Sequence, residues 1–86
     1  MTAPDGPPPR VTLYSRPGCH LCDEARAVIE RVCAEVGERY DEVSIDEDET
    51  LRERFGDEIP VTFVDGRQHD FWRVDEARLR AALATG

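Results

Sequence analysis

Two closely spaced cysteines are the residues best suited to chemistry in this sequence. Cys19 and Cys22 lie in the segment RPGCHLC, directly after a Pro-Gly pair. Such a pair can exchange thiols and disulfides, supply half of a metal site, or fill space in a core. These three alternatives require different surroundings: an exposed thiolate, further metal ligands, or an apolar face.

A helix is predicted directly behind the Pro-Gly pair. From Cys19 to Val36 apolar residues recur three and four positions apart, and Gly37 is a typical helix end. Cys19 would stand in the first turn, where unpaired backbone N–H groups and the helix dipole favour a thiolate over a thiol. Cys22, one turn on, would be close enough to form a disulfide with it. His20 would favour the thiolate if it is protonated, or would be a solvated residue without such a role.

The third cysteine disfavours a metal site within a single chain. Cys33 lies eleven residues beyond Cys22, which is about 16 Å along a helix that rises about 1.5 Å per residue. A zinc site needs four ligands within about 2.0–2.3 Å of the ion, and we do not expect His69, in a predicted strand, to complete the set. Cys33 is therefore expected in the core. A site shared by two chains, including an iron–sulfur cluster, stays open.

The remaining pattern predicts a mixed β-sheet. Asp65-Gly66 joins two β-type runs and is typical of a type I′ hairpin turn. Asp46 is expected to begin a short helix over EDETLRERF, and Asp75 a last helix over EARLRAALA. The four predicted strands are Val11–Ser15, Tyr40–Ile45, Ile59–Val64 and Arg67–Trp72. The order β-α-β-α-β-β-α predicts an α/β fold, a four-stranded mixed sheet flanked by three helices, with a parallel pair from the first βαβ unit.

Three aromatic residues near the hairpin have two possible roles. Phe63, Phe71 and Trp72 can line a substrate groove beside the cysteines or pack under a helix. Because aromatic residues on a sheet face bury large areas, we expect at least two of them in the core. Arg73, near the start of the last helix, can bind a carboxylate, but we expect it to be an exposed arginine without that role.

Length and charge limit the class of protein. The chain has 86 residues and a net charge of −8, which predicts one domain over residues 11–86 behind a flexible, proline-rich tail over residues 1–10. The negative charge disfavours nucleic-acid and membrane partners. No apolar run approaches 18 residues, and the N-terminus has no hydrophobic signal segment. We therefore expect a cytoplasmic monomer whose thiols are kept reduced.

The order of these motifs resembles the thioredoxin superfamily, and most closely its glutaredoxin-like branch. The resemblance is carried by SRPGCHLC at a helix start, by RYDEVSIDED and by EIPVTFVDG. It extends from about Val11 to Leu83 and implies a thioredoxin-like fold. It also implies that Cys19 is the nucleophilic cysteine and Cys22 the resolving cysteine.

The resemblance implies further site residues. Pro60 matches the cis-proline that faces the cysteine pair, and Ile59 the residue whose backbone meets the substrate. Arg16 matches a basic residue that can meet a glutathione carboxylate. The chain departs from the glutaredoxin pattern between the cysteines, where His20-Leu21 replaces Pro-Tyr. It departs again at HDFWRVDEA, where glutaredoxins carry a Gly-Gly motif for glutathione.

The sequence thus predicts a dithiol thiol–disulfide oxidoreductase that acts on protein or small-molecule disulfides through Cys19 and Cys22. No tightly bound cofactor and no metal are expected. An external reductant, either glutathione or a donor of the thioredoxin-reductase type, would restore the dithiol. A glutathione-dependent deglutathionylase and a non-enzymatic metal or iron–sulfur carrier are the alternatives that use the same pair.

Overall fold

The protein folds as a four-stranded sheet flanked by three helices. The structure is a computed structural model, and it describes residues 9–84. The elements are β1 (Val11–Ser15), α1 (His20–Val36), β2 (Tyr40–Ser44), a 3₁₀ turn (Ile45–Glu47), α2 (Glu49–Phe55), β3 (Val61–Val64), β4 (Arg67–Phe71) and α3 (Glu76–Ala84). This confirms the predicted α/β fold and its order of elements. Within residues 9–84, no helix has the length and apolar character needed to cross a membrane.

The strand order β2-β1-β3-β4 brings the loops that follow β1, β2 and β4 together. β1 is parallel to β2 and antiparallel to β3, and β3 is antiparallel to β4. The carboxyl ends of β1, β2 and β4 therefore meet the start of β3 at one edge of the sheet, where Tyr14 pairs with Val61. We name this the cysteine edge, because α1 and its cysteines begin there. The opposite edge, which holds the turn at Asp65-Gly66, is the hairpin edge.

Two apolar clusters hold the elements together, one on each face of the sheet. The larger cluster lies under α1 and α3 and includes Leu13, Ile29 and Cys33, so the prediction of a core position for Cys33 is confirmed. The smaller cluster lies between the sheet and α2. There the ring of Phe63 stands edge-on to that of Phe55, with centroids 5.8 Å apart. Successive strand residues face opposite sides of a sheet, so the central strands β1 and β3 contribute to both clusters.

The predicted turn and helix ends match the backbone. Asp65 and Gly66 both have positive φ, 54° and 82°, as a type I′ turn requires. Gly37 ends α1 in the left-handed conformation at φ 75°. Asp75 caps α3, since its Oδ1 accepts a hydrogen bond from the N–H of Arg78 at 2.9 Å.

The prediction that Asp46 caps α2 is wrong. The Oδ1 of Asp48 accepts hydrogen bonds from the N–H groups of Thr50 and Leu51, and Asp46 lies in the preceding 3₁₀ turn. Ser44 causes this shift, because its Oγ accepts from the N–H of Asp46 at 3.2 Å and starts the 3₁₀ turn there. β2 consequently ends one residue earlier than predicted.

Two strand limits also differ from the prediction. β3 begins at Val61 instead of Ile59, because Pro60 has no N–H to donate to a strand ladder. β4 ends at Phe71 instead of Trp72, because Trp72 turns into the left-handed region at φ 64°.

Arg10 fixes the hairpin edge. Its guanidinium binds both carboxylate oxygens of Asp65, at 2.8 and 2.9 Å, and the carboxylate of Glu38 at 3.2 Å. It also donates to the backbone carbonyls of Ala82 and Leu83 at the end of α3. The predicted flexible tail ended at this residue; its first eight residues lie outside the described part of the chain, whereas Arg10 itself is held by the folded domain.

Candidate functional site: the thiol pair at the start of α1

Cys19 is the residue that caps α1. Gly18, at φ 77°, turns the chain out of β1, and Cys19 then adopts extended backbone angles immediately before the helix. Its Sγ accepts a hydrogen bond from the N–H of Cys22 at 3.1 Å. Cys19 is partly exposed, so its sulfur is accessible and faces one of the unpaired donors of the first turn. This hydrogen bond holds the Cys19 sulfur against the first turn of the helix.

Cys22 is the buried member of the pair. Its side chain is fully buried, and both cysteines are free thiols. Burial, the largest effect, raises the pKa of Cys22 to about 12, and its contact with Cys19 acts in the same direction. The backbone N–H of Arg16 and the charge of Arg26 oppose this rise. The pair therefore consists of one accessible sulfur and one sulfur that stays protonated at neutral pH.

Ile59 and Pro60 lie at the same edge of the sheet as the cysteines. The peptide bond between them is cis, as the resemblance implied. Pro60 is buried and stands one residue before Val61, the strand position that pairs with Tyr14 near the end of β1. Ile59 packs against the smaller apolar cluster. Contact of Ile59 with a substrate stays a prediction.

Arg16 and His20 flank the cysteine pair on its exposed side. Arg16 binds the carboxylate of Asp46 at 2.9 Å, with both side chains more than two-fifths exposed. A glutathione carboxylate would therefore compete with Asp46 for this guanidinium. His20 is exposed as the first residue of α1. The roles predicted for these two residues, in binding and in thiolate stabilisation, stay predictions.

Sequence reasoning missed an ion-pair network beside Cys22. Arg26, one helical turn further along α1, binds both carboxylate oxygens of Glu42 at 2.6 Å and also binds Asp23 at 2.8 Å. Ser15, which is buried, donates to Glu42 at 2.7 Å. The Arg26 guanidinium is the main reason that the pKa of Glu42 is lowered. The spacing of four residues on one helix indicates that Arg26 lies near Cys22. The ion pair between Arg26 and Glu42 on β2 could not be predicted from the sequence.

Trp72 is held in an uncommon conformation at the cysteine edge. Its φ of 64° is in the left-handed region, which costs a residue with a Cβ about 1–2 kcal/mol. Its backbone N–H donates to the carbonyl of Pro60 at 2.7 Å and to that of Glu58 at 3.3 Å. Its indole Nε1–H donates to the carbonyl of Asp57 at 3.1 Å. These bonds attach the segment after β4 to the loop that carries the cis-proline.

Trp72 remains 52% exposed. It lines a pocket of about 140 Å³ whose other apolar walls are Leu21, Ala25, Val28 and Val74. Of the three aromatic residues for which a core position or a groove was considered, Phe63 lies against the core and Trp72 lines this pocket. The side chain of Phe71 lies outside the described part of the structure.

The described residues add no further metal ligands to the pair. Within residues 9–84 no cluster of three or more His, Cys, Asp and Glu side chains is arranged to hold a metal ion. His69, considered above as a ligand, lies on β4, and its Nε2 is 3.7 Å from Asp70. A site shared between two chains would have to take its ligands from two copies of Cys19 and Cys22.

The fold and the Cys-x-x-Cys pair at the start of a helix define a thioredoxin-like protein. Residues 10–84 match the family model of the glutaredoxin-like domain (DUF836), and the chain belongs to that family. The family match thus begins at Arg10, the residue that fixes the hairpin edge.

Similar proteins come from several bacteria and an archaeon. An uncharacterized protein of Mycobacterium tuberculosis is 40% identical over 83 residues, which cover 88% of this chain and 84% of the relative. The X-ray structure of XcR50 from X. campestris is 36% identical with a TM-score of 0.73, over 88% of this chain and 97% of that one. A glutaredoxin from Archaeoglobus fulgidus, 16% identical with a TM-score of 0.61 over 91% and 88% of the two chains, shares the fold.

Proposed function

We propose that this protein is a dithiol thiol–disulfide oxidoreductase that reduces disulfides through Cys19 and Cys22. The observation that carries the proposal is the asymmetry of the pair. Cys19 is partly exposed, and its Sγ accepts a hydrogen bond from the backbone N–H of Cys22. Cys22, three residues further along the chain, is fully buried. Membership of a glutaredoxin-like family supports redox chemistry at such a pair.

In the first step the Cys19 thiolate attacks one sulfur of a substrate disulfide. A new S–S bond joins Cys19 to the substrate, the substrate's own S–S bond breaks, and the departing thiolate takes a proton from water. Before the new S–S bond forms, the backbone N–H of Cys22 donates a hydrogen bond to the attacking sulfur of Cys19. No cofactor is needed, since the exchange conserves one disulfide.

In the second step Cys22 attacks the sulfur of Cys19 in the mixed disulfide. Cys22 must first lose its proton to water or buffer, and burial opposes this by raising its pKa. A Cys19–Cys22 disulfide forms and the second substrate thiolate departs, so the substrate has gained two electrons. The nearby charge of Arg26 favours the Cys22 thiolate and would assist this step.

An external dithiol or two molecules of glutathione would then reduce the Cys19–Cys22 disulfide. We propose that the protein works as a monomer in the cytoplasm, where thiol donors keep such pairs reduced. Its substrates would be protein or small-molecule disulfides. The net charge of −8 argues against nucleic-acid and anionic membrane partners.

A redox titration tests the proposal directly. The purified protein is equilibrated across a range of glutathione to glutathione-disulfide ratios, quenched with an alkylating agent and examined by intact mass. We expect reversible loss of two hydrogens in the native protein and in the control Cys33→Ser, and no such loss in Cys19→Ser. Disulfide reductase activity retained by Cys19→Ser would contradict the proposal.

The same titration separates the alternative functions. A stable glutathione adduct on Cys19, in place of the internal disulfide, would favour a glutathione-dependent deglutathionylase. An inert pair, together with metal or iron in anaerobically purified protein, would favour a carrier.

A further inference from the structure

The pocket beside Trp72 has no part in the exchange chemistry described above. It lies between the first turns of α1 and the segment that follows β4. Leu21, which stands between the two cysteines in sequence, forms one of its walls. Any group that fills the pocket therefore contacts one of the two residues that separate the cysteines.

The size and lining of the pocket fit an apolar side chain. Its volume is about 140 Å³, and Leu21, Ala25, Val28, Val74 and the indole of Trp72 supply its apolar surface. An apolar protein cavity of about 150 Å³ accommodates a molecule as large as benzene. A leucine or phenylalanine side chain is of the same order of size.

The conformation of Trp72 keeps this wall in place. A tryptophan in the left-handed region is uncommon, and residues held in such conformations cluster at functional sites. Three hydrogen bonds to the loop around Pro60 hold it there while about half of the residue stays exposed. The local structure thus maintains an exposed aromatic wall at a conformational cost.

We propose that this pocket receives an apolar side chain of a polypeptide substrate and that Trp72 determines this specificity. The inference rests on the proposed function, since the substrate is placed there by its disulfide with Cys19. It names the substrate class: polypeptide disulfides with a leucine- or phenylalanine-sized residue beside the cysteine.

The apolar lining of the pocket suits such a polypeptide better than glutathione. Glu24 is the one acidic residue among the lining residues. Arg73 is the one cation among the lining residues. Glutathione carries two carboxylates and has no bulky apolar side chain, so it would gain little here. A peptide with basic residues around an apolar one complements both the apolar walls and the net charge of −8 of the chain.

Two peptides test the inference in a single turnover. Both are acetylated and amidated pentapeptides, lysine–leucine–cysteine–leucine–lysine and its analogue with alanine for leucine, each joined by a disulfide to 2-mercaptoethanol. The reduced protein attacks this disulfide and becomes oxidised, releasing the peptide thiol and 2-mercaptoethanol. The second-order rate constant is read from quenched samples by mass.

We expect the native protein to reduce the leucine peptide at least about tenfold faster than the alanine peptide, as apolar pockets discriminate by this order. In Trp72→Gly the rate constants for the leucine and alanine peptides should differ by no more than about twofold. Glycine suits this variant because it adopts positive φ without strain, so the backbone turn is kept. The matched control is Val36→Ala, which truncates the other large exposed apolar residue of the described chain, at the far end of α1, and should keep the full ratio.

The possible failures are distinguishable. Equal rates for both peptides in the native protein would overturn this inference and leave the proposed function standing. If the native protein reduces neither peptide and also fails to reduce the small substrate bis(2-hydroxyethyl) disulfide, the proposed function itself is overturned. A ratio that survives in Trp72→Gly would remove Trp72 as the determinant of specificity.

Fluorescence supplies a second readout that does not depend on turnover. Trp72 is the single tryptophan of the chain, so the emission reports on this pocket alone. In Cys22→Ser joined by a disulfide to the leucine peptide, we expect a blue shift and at least twofold weaker quenching by acrylamide than in the alanine-peptide adduct. Identical spectra for the two adducts would overturn the inference.

Discussion

The two ends of α1 hold buried cysteines in different settings. Cys22, at the cysteine edge, lies beside the partly exposed Cys19, whereas Cys33, near the hairpin edge, is enclosed by the larger apolar cluster. Burial is the main cause of a raised pKa for both thiols. Burial and pKa therefore do not identify the reactive cysteine. What distinguishes the cysteine edge is an accessible second sulfur one helical turn away.

The two edges also differ in what fixes them. At the hairpin edge, Arg10 joins the hairpin turn, Glu38 and the end of α3 through one guanidinium. At the cysteine edge, Trp72 is held in a left-handed conformation and remains about half exposed. The hairpin edge is thus cross-linked by one guanidinium, whereas the cysteine edge holds a large apolar residue partly in solvent.

The largest expected effect is on thiol labelling. With iodoacetamide, Cys33 in the native reduced protein should react at least about a thousandfold more slowly than Cys19. Its exposure requires the core to open, and native domains are stable by about 5–15 kcal/mol. Peptide mapping of timed samples measures both rates, and labelling in guanidinium chloride is the control in which they converge. Similar native rates would show that the larger cluster does not enclose Cys33.

The next effect is the pH dependence of the second exchange step. Because the pKa of Cys22 is raised, its thiolate fraction should increase about tenfold per pH unit, or about hundredfold between pH 6 and 8. Part of the rise comes from Cys19 and is lost in the mixed disulfide, but burial, the largest cause, remains.

Ellman's reagent measures this step, since Cys19 releases one thionitrobenzoate and Cys22 then releases a second. Cys22→Ser should show the first release alone and serves as the control. A second phase with the same rate at pH 6 and pH 8 would contradict the assignment of Cys22 as a buried resolving thiol.

A smaller effect is expected from removing the guanidinium that fixes the hairpin edge. Arg10→Met keeps much of the aliphatic stem and loses the contacts to Asp65, Glu38 and the end of α3, so the midpoint of thermal unfolding should fall by several degrees. The comparison variant is Arg16→Met, which breaks one exposed ion pair at the cysteine edge and should change the midpoint much less. If the unfolding midpoint falls equally in both variants, Arg10 does not stabilise the hairpin edge more than Arg16 stabilises the cysteine edge.

The smallest effect concerns Glu42. Hydrogen bonds from Arg26 lower the pKa of Glu42 from its ordinary value of 4.5, so its stabilising contribution is complete above that value and is lost as the pH falls through the lower folded-state pKa. Glu42→Gln should therefore reduce the free energy of unfolding by about 1 kcal/mol at pH 7. Urea denaturation at pH 7 and at pH 3 measures the difference between the variant and the native protein. If the difference in the free energy of unfolding is as large at pH 3 as at pH 7, the ionised Glu42 carboxylate is not the source of the stabilisation.

Features set by neighbouring residues were predictable from the sequence. The apolar stripe of α1, the type I′ turn at Asp65-Gly66 and the cap at Asp75 each depend on a few adjacent positions. The misplaced cap of α2 shows the limit of this reasoning. Asp46 and Asp48 both suit a cap, and the 3₁₀ turn started by Ser44 decides between them.

Features that depend on distant pairs were not predictable. Arg10 and Asp65 are 55 positions apart, and Arg26 and Glu42 are 16 apart, so no local pattern indicates either ion pair. The sequence HDFWRVDEA, which departs from the glutaredoxin motif, indicated that the region of Trp72 differs from that of glutaredoxins. Its left-handed backbone and its bonds to the cis-proline loop became visible only in three dimensions.

The contacts of Arg10 with Ala82 and Leu83 have a consequence for topology. They bring the start of β1 and the end of α3 to the same place, at the edge of the sheet opposite the cysteines. A polypeptide that enters the domain at residue 10 and leaves it at residue 84 therefore does so through neighbouring points. The domain can be inserted into a surface loop of a carrier protein, or joined to carriers on both sides, with its thiols directed away from the junctions.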